Sequence, residues 1–287
     1  MMEPLACLNG EILPAAEAKI PIWDRGFLFA DSVYEVFRLY EGRLWLEDDH
    51  YGRLLRSLRE MQFEEVDFDR LRDRIARTIA AGAVREATVY LQITRGVAPR
   101  LHAFPNPAVP PTELIVVRAY DDVSTAKLRE TGVPVITHPD LRWHRCDVKS
   151  TNLLANVLAN EKAHRDGAYE AILVRDGLVT EATHSSLLWV RGGRLEATFE
   201  GPEILPGTTR RGLPEIAKRE GIPIHETRIA IDDLFLADEV ILTGTTIEVL
   251  PVTSIDGRVV GNGEPGPVTR RLQRSFRHAL ADWLAAS

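Results

Sequence analysis

The sequence is poor in cysteine and in long apolar runs, and each shortage excludes a class of protein. Two cysteines, Cys7 and Cys146, cannot build a disulfide framework and fit a reducing compartment. No apolar run approaches the roughly 20 residues that a membrane-spanning helix needs. No basic residue precedes Lys19, so we expect no ordinary secretory signal. The net charge of −7 argues against nucleic acid or an anionic membrane as the main partner. We therefore expect a cytoplasmic protein.

Several catalytic motifs are also missing. The sequence contains no G-x-G-x-x-G and no G-x-S-x-G, so it carries neither a dinucleotide fingerprint nor a serine-nucleophile elbow. The eight histidines show no ligand spacing, and we expect no metal site. Lys149-Ser150-Thr151 copies the end of a phosphate-binding P-loop without its glycines, which leaves a nucleotide-binding protein only as a rival interpretation.

The length of 287 residues predicts two domains at roughly 150 residues each. A polar interruption at 121–125 places the division between 1–121 and 122–287. Strands and helices mix without strict alternation, which indicates a mixed α/β (α+β) fold. Asp176-Gly177 and Gly192-Gly193 predict two tight hairpins.

Helical spacing predicts five helices, and two of them allow sharp expectations. The stripe from Phe68 to Ile79 is predicted to end at Gly82. A helix over 152–165 is predicted to bury Leu153, Leu154, Val157 and Leu158.

Lysine is scarce, because only five of the 35 basic residues are lysines. Four lie in strongly polar surroundings typical of a surface. Lys149 instead lies between a strand-like segment and a helix, where a side chain can project into a cleft. One interpretation is a helix-entry lysine paired with Asp147. The other is an amine that forms a Schiff base, which requires partial burial.

Two Gly-Thr-Thr triplets accompany this lysine. Gly207-Thr208-Thr209 precedes a predicted helix, and Gly244-Thr245-Thr246 follows a predicted strand. Backbone N–H groups at a helix start, with hydroxyls beside them, bind a phosphate dianion. For either triplet taken alone, simple capping of a helix by threonine is the better explanation.

Six motifs in order resemble those of class IV (fold type IV) pyridoxal-phosphate aminotransferases, and most closely the members that act on D-amino acids. They lie at Arg25–Val36, Thr94–His102, Arg145–Ser150, Val179–Glu181, Leu205–Arg210 and Thr243–Glu248. The resemblance implies a smaller N-terminal α/β domain and a larger C-terminal, barrel-like domain that carries Lys149, with the cofactor between them. It also implies a homodimer whose active site is shared between subunits.

The resemblance assigns cofactor roles to residues of this sequence. Lys149 would hold pyridoxal 5′-phosphate as a Schiff base and shuttle a proton as the catalytic residue. Glu181 would face the pyridine nitrogen and keep it protonated. The remaining cofactor-binding residues, mostly directed at the phosphate, would be Arg53, Leu205, Thr208, Thr209, Gly244 and Thr245.

The resemblance also implies how substrate is bound. Tyr34, with Arg100 and His102 from the partner subunit, would bind the substrate α-carboxylate, and Val36 would line the same pocket. Read without the resemblance, Arg100 and His102 are polar residues on a solvated, proline-rich loop. The implied reaction is transfer of the amino group of D-alanine to 2-oxoglutarate, giving pyruvate and D-glutamate.

The sequence departs from the family pattern at Ala30, Ser32, Ser186, Leu188 and Pro206, away from Lys149 and Glu181. These departures leave open a branched-chain L-amino-acid or (R)-amine transaminase, or an aminodeoxychorismate lyase. The non-enzymatic alternative is a carrier protein that binds pyridoxal phosphate without catalysing a reaction.

Overall fold

The computed structural model of the protein describes residues 3–63 and 66–286. The chain divides into two compact units, and the boundary after Asp121 coincides with the polar interruption noted in the sequence. The first unit also contains Val148–Asn152, which the division by sequence had assigned to the second. The reason is backbone pairing, since Val33 forms an antiparallel bridge with Ser150.

The described residues form fifteen strands, eight α-helices and one short 3₁₀ helix at Ala15–Glu17. The strands are β1 Leu5–Leu8, β2 Glu11–Pro14, β3 Ser32–Tyr40, β4 Arg43–Leu44, β5 Ala87–Thr94, β6 Thr112–Ala119, β7 Val133–Pro139, β8 Glu170–Arg175, β9 Leu178–Ala182, β10 Ser186–Arg191, β11 Arg194–Thr198, β12 Ile224–Thr227, β13 Glu239–Gly244, β14 Glu248–Ile255 and β15 Arg258–Val259. The helices are α1 Arg25–Phe29, α2 Glu47–Glu60, α3 Phe68–Gly82, α4 Val123–Thr131, α5 Leu154–Arg165, α6 Thr208–Arg219, α7 Ile231–Leu234 and α8 Pro267–Ala285. This composition confirms the mixed α/β class.

The first unit is built on a six-stranded antiparallel sheet in the order β2-β1-β6-β5-β3-β4. Strand β5 alternates buried and half-buried residues, and its inward side chains Val89, Leu91 and Ile93 are fully buried. Helices α2 and α3 contribute Leu54 and Leu71 to the buried interior. The sheet thereby fixes β3, which carries Tyr34, Glu35 and Val36.

The second unit is built on a nine-stranded mixed sheet. The order is β12-β11-β10-β13-β14-β7-β8-β9, with β15 on β14. Its core gathers side chains from many strands around the fully buried Trp189. The contacts of β7 with β14 and β8, and of β11 with β12, are parallel. Such pairings join segments distant in sequence.

Both predicted hairpins are confirmed. Asp176 (φ 52°) and Gly177 (φ 78°) join β8 to β9, and Gly192 and Gly193 join β10 to β11, also with positive φ at both positions. Positive φ at both central residues is what a tight primed turn requires, and it explains why glycine occurs there.

Helix α3 ends as predicted within one residue, with Ala83 in the left-handed conformation just after Gly82. The prediction for α5 was wrong about its face. Leu154, Val157 and Leu158 are 57–69% exposed, whereas Ala159 and Ala163 are buried. The small alanines let the helix approach the sheet closely, so the larger side chains point outward.

Among the described residues, no helix is long and apolar enough to cross a membrane.

Candidate active site

Lys149 is held against strand β3. The Tyr34 N–H donates to the Lys149 carbonyl (3.0 Å), and the Lys149 N–H donates to Ser57 Oγ (3.1 Å). The Lys149 ammonium lies 4.2 Å from the centroid of the Tyr34 ring. Among the described residues Lys149 forms no ion pair, including the one with Asp147 considered from the sequence. Asp147 pairs with Arg145 (3.0 Å). The amine therefore lies over an aromatic ring.

Lys149 also differs from the other lysines in its exposure. It is half-buried, whereas Lys19, Lys127, Lys162 and Lys218 are exposed. The four were predicted to lie on the surface from their charged neighbours. Among the described residues, Lys149 is thus the one lysine that meets the partial burial a Schiff-base amine requires.

Beside Lys149, a buried carboxylate binds Arg53. Glu35 on β3 accepts from Arg53 Nε (2.7 Å) and Nη2 (2.8 Å), and its second oxygen lies 2.7 Å from His50 Nδ1. Burial alone would raise the pKa of Glu35, but Arg53 and His50 outweigh it and lower the pKa to about 2. Burial also lowers the pKa of His50, and the charge of Lys149 adds to that effect. The group is therefore an ion pair of Glu35 and Arg53 beside a neutral imidazole.

The face of β3 that carries Tyr34 also carries Val36. Both are half-buried and alternate with the buried Val33, Glu35 and Phe37.

On the neighbouring strand β5, the ring of Tyr90 lies 5.8 Å from the ring of Tyr34. Burial, aided by Tyr34, raises the pKa of Tyr90 to about 12, so its hydroxyl stays protonated at neutral pH. This side of the sheet therefore presents two aromatic rings, of which that of Tyr34 contacts the Lys149 ammonium.

Arg100 and His102 lie on the exposed loop between β5 and β6. Both contact Phe29: the Arg100 guanidinium carbon lies 5.2 Å and the His102 ring 5.6 Å from its ring centroid. Among the described residues neither forms an ion pair with a carboxylate. The structure therefore brings the two predicted substrate residues together, side by side and accessible.

In the second unit, Glu181 is buried near the end of β9. It accepts hydrogen bonds from Arg142 Nη1 and from the N–H of Leu205, which lies 3.2 Å from both carboxylate oxygens. Burial raises the pKa of Glu181, and Arg142 opposes that rise. Two of the predicted cofactor residues, Glu181 and Leu205, are thus in direct contact.

Arg142 belongs to a larger buried network. Its Nε and Nη2 donate to the two oxygens of Asp140 (2.9 and 2.8 Å), and Arg175 lies 3.1 Å from the same carboxylate. Burial would lower the pKa of Arg142, but Asp140 and Glu181 raise it. The guanidinium therefore stays charged. The nearby Cys146 thiol has its pKa raised to about 11, chiefly by burial, and is held in its unreactive form.

The first triplet lies at the start of α6. Thr208 and Thr209 are buried in its first turn, and its N-cap is Gly207, which has no side chain to cap the helix. Two buried polar atoms have no hydrogen-bond partner among the described residues. They are Nη1 of Arg210, in the first turn of α6, and Oγ1 of Thr243, near the end of β13. Buried donors without partners indicate a polar ligand, because leaving them unpaired is costly.

Two consecutive serines link the two triplets. A Cβ built on Gly207 would lie 2.5 Å from Ser186 Oγ, and one on Gly244 would lie 4.0 Å from Ser185 Oγ. Both glycine turns therefore border the start of β10, with Thr245 in the second turn half-buried. A helix N-terminus, hydroxyls and backbone without side chains fit the phosphate of the cofactor implied by the sequence.

Sequence reasoning assigned no role to three side chains that organise these clusters, Glu35, His50 and Arg142. Glu35 offered a signal, since it is a charged residue at an inward position of an alternating strand. Arg142 offered none, because its partner Glu181 lies 39 positions away.

Comparison with known proteins gives a consistent result. Residues 32–255 match the family described as amino-transferase class IV. The chain is 38% identical over 276 residues to D-alanine aminotransferase of Bacillus licheniformis, covering 95% of each chain. It is 40% identical over 270 residues to D-alanine aminotransferase of Staphylococcus haemolyticus, covering 94% of this chain and 95% of the relative.

Solved structures resemble the fold at lower identity. The branched-chain amino acid aminotransferase of Escherichia coli superposes with a TM-score of 0.90 at 26% identity, covering 96% of this chain and 94% of the other. That of T.th., solved with pyridoxamine 5′-phosphate, gives a TM-score of 0.87 at 28% identity, with 97% and 94% covered.

Proposed function

The chain belongs to the class IV amino-transferase family, and from that premise we propose that it transfers the amino group of D-alanine to 2-oxoglutarate. Both the aminotransferase class and the pyridoxal 5′-phosphate cofactor expected from the sequence are confirmed by the family match and by relatives solved with forms of that cofactor. The observation that supports D-alanine as the substrate is the 38–40% identity to D-alanine aminotransferases over nearly the whole chain.

When bound, pyridoxal phosphate supplies an electron-withdrawing ring that stabilises negative charge at the substrate α-carbon. Lys149 would attach to the cofactor covalently, and its freed Nζ would remove and return the proton at that carbon. Its place over the Tyr34 ring supports this role, because among the described residues the ammonium has no ion pair that must be broken to free the amine.

Glu181 would hold the proton on the ring nitrogen of the cofactor. A carboxylate serves this purpose only while it is charged, and burial acts against the charge. The contacts from Arg142 and from the Leu205 N–H support the charged form.

The phosphate would be bound by Thr208, Thr209, Gly244 and Thr245, with the unpartnered donors nearby. Arg53 would contribute through charge while Glu35 fixes the orientation of its guanidinium.

The substrate carboxylate would be bound by Tyr34 and by Arg100 and His102 of a partner subunit in a cytoplasmic homodimer. Val36 would line the side-chain pocket from the same face of β3 as Tyr34. The exposure of Arg100 and His102 supports this assignment, because a residue that serves a second subunit has to project from its own.

The alternative substrate class is a branched-chain L-amino acid, favoured by the TM-score of 0.90 to the Escherichia coli enzyme. The test compares D-alanine, L-leucine and an (R)-arylamine as donors to the purified holoenzyme, following loss of the cofactor's absorption band. We expect D-alanine to react with the highest kcat/KM. A higher kcat/KM with L-leucine would refute the proposal and remove the carboxylate role of Arg100 and His102.

A further inference from the structure

The loop that carries Arg100 and His102 has few backbone hydrogen bonds of its own, yet it is anchored by one side chain. Arg25 Nη1 donates to the carbonyl oxygens of Leu101 (2.7 Å) and Ala103 (3.2 Å), the two residues on either side of His102. Arg25 is only 3% exposed, so these contacts are made in a buried environment. One guanidinium thereby fixes the peptide groups that flank a predicted substrate residue.

Arg25 is held in turn by a shared carboxylate. Asp31 accepts from Arg25 Nε (2.7 Å) and from Arg95 Nε (2.9 Å), and it is 8% exposed. One carboxylate thus orients two guanidinium groups, and removing it would deprive both of their ion pair.

Arg95 reaches the far end of the same loop. Its guanidinium carbon lies 3.7 Å from the ring centroid of Phe104 and 4.4 Å from that of Phe63. Its Nη1 and Nη2 donate to the carbonyls of Gln62 (3.0 Å) and Met61 (2.6 Å), just after α2. Arg95 therefore ties Phe104 to the end of a helix.

We propose that Arg25 and Arg95, joined through Asp31, are positioning residues that hold the 97–105 loop so that Arg100 and His102 meet the substrate carboxylate. This rests on the proposed function. Phe29 completes the arrangement, because its ring contacts Arg25 (4.9 Å) and also both substrate residues. Arg25, Asp31 and Arg95 lie in the family motifs but contact neither substrate nor cofactor in the proposed function. The proposal gives them a positioning role.

The test measures hydrogen exchange by mass spectrometry in the full-length holoenzyme, comparing the wild type with Arg25→Gln and Arg95→Gln. We expect the two hydrogen-bonded amides of the 97–105 peptide, those of Ala98 and Leu101, to exchange at least about tenfold faster in both variants, because opening of this loop no longer breaks the buried contacts. A peptide from α3 should be unchanged. Arg85→Gln is the matched control, since Arg85 is exposed and pairs only at the surface with Glu41.

Steady-state kinetics then distinguish positioning from folding. We expect the KM for D-alanine to rise about 10- to 100-fold, the loss typical of a charged hydrogen bond, with kcat within about threefold. Arg25→Lys, which keeps the charge beside Asp31 but cannot reach both carbonyls, should fall between wild type and Arg25→Gln. It also provides a folded variant if Arg25→Gln is unstable.

Unchanged exchange of the 97–105 peptide in the variants would overturn the proposal. So would faster exchange with an unchanged KM for D-alanine, since loop order would then not matter to substrate. If the wild type fails to use D-alanine at all, the proposed function fails, while the exchange measurement still decides whether the two arginines hold the loop.

Discussion

Replacing Glu35 by glutamine should remove a large share of the protein's stability at neutral pH. The carboxylate is fully buried, bonded to Arg53 through both oxygens, and its pKa is lowered from 4.5 to about 2. That difference corresponds to about 3 kcal/mol favouring the folded state. The neutral amide cannot compensate Arg53, so Glu35→Gln should cost about 3 kcal/mol.

The loss should depend on pH in a defined direction. Because the folded-state pKa of Glu35 is depressed, its contribution is complete above about pH 5 and disappears as the pH falls through 4.5 toward 2. The difference between wild type and Glu35→Gln should therefore fall to roughly half near pH 3. Glu35→Gln combined with Arg53→Gln should cost less than the sum of the single variants.

The assay is urea unfolding of the cofactor-free protein at pH 7 and pH 3, which separates folding from cofactor binding. Asp73→Asn is the control, because Asp73 pairs with Arg77 on an exposed helix face and should change stability by less than about 0.5 kcal/mol. A loss below about 1 kcal/mol at pH 7 would refute the reasoning, as would a loss that is equal at both pH values.

Four further outcomes follow from the site. Lys149→Ala should abolish turnover and also remove borohydride-dependent labelling, which peptide mapping should find at Lys149 in the wild type. Glu181→Gln should retain cofactor but slow proton removal, seen as a smaller single-turnover rate with D-alanine; an equal rate would assign the ring nitrogen to another group. Gly207→Ala should weaken cofactor binding, measured by fluorescence titration, because the added Cβ would lie 2.5 Å from a serine hydroxyl; Gly212→Ala, where the space is open, should bind normally and gain about 0.5–1 kcal/mol. Cys146, with its pKa near 11, should react with iodoacetamide at pH 8 about 100-fold more slowly than an ordinary thiol, and comparable labelling would contradict its burial.

Features of local origin were predictable from the sequence. The turns at Asp176-Gly177 and Gly192-Gly193 follow from the backbone freedom of the residues themselves. Helix α8 buries Val268, Leu272 and Phe276 on the face that its spacing indicates. The motifs carried enough information to assign the family because they contain residues whose chemistry is specific.

Features that depend on distant partners were not predictable. Helix α5 shows an apolar stripe, yet packing against its strands selects the alanine side, since only contact distance distinguishes the two faces. The bond between Arg142 and Glu181 and the sharing of Asp31 by two arginines require the folded sheet. One-dimensional periodicity carries no information about which carboxylate a given guanidinium will meet.

The bias toward arginine has a practical side. The four exposed lysines, Lys19, Lys127, Lys162 and Lys218, are the accessible side-chain amines. Guanidinium groups do not react with succinimidyl esters or aldehyde resins under mild conditions, because they stay protonated. The protein should therefore couple to a solid support mainly through the side-chain amines of these four exposed lysines. An immobilised catalyst prepared in this way should keep its reactive centre chemically untouched.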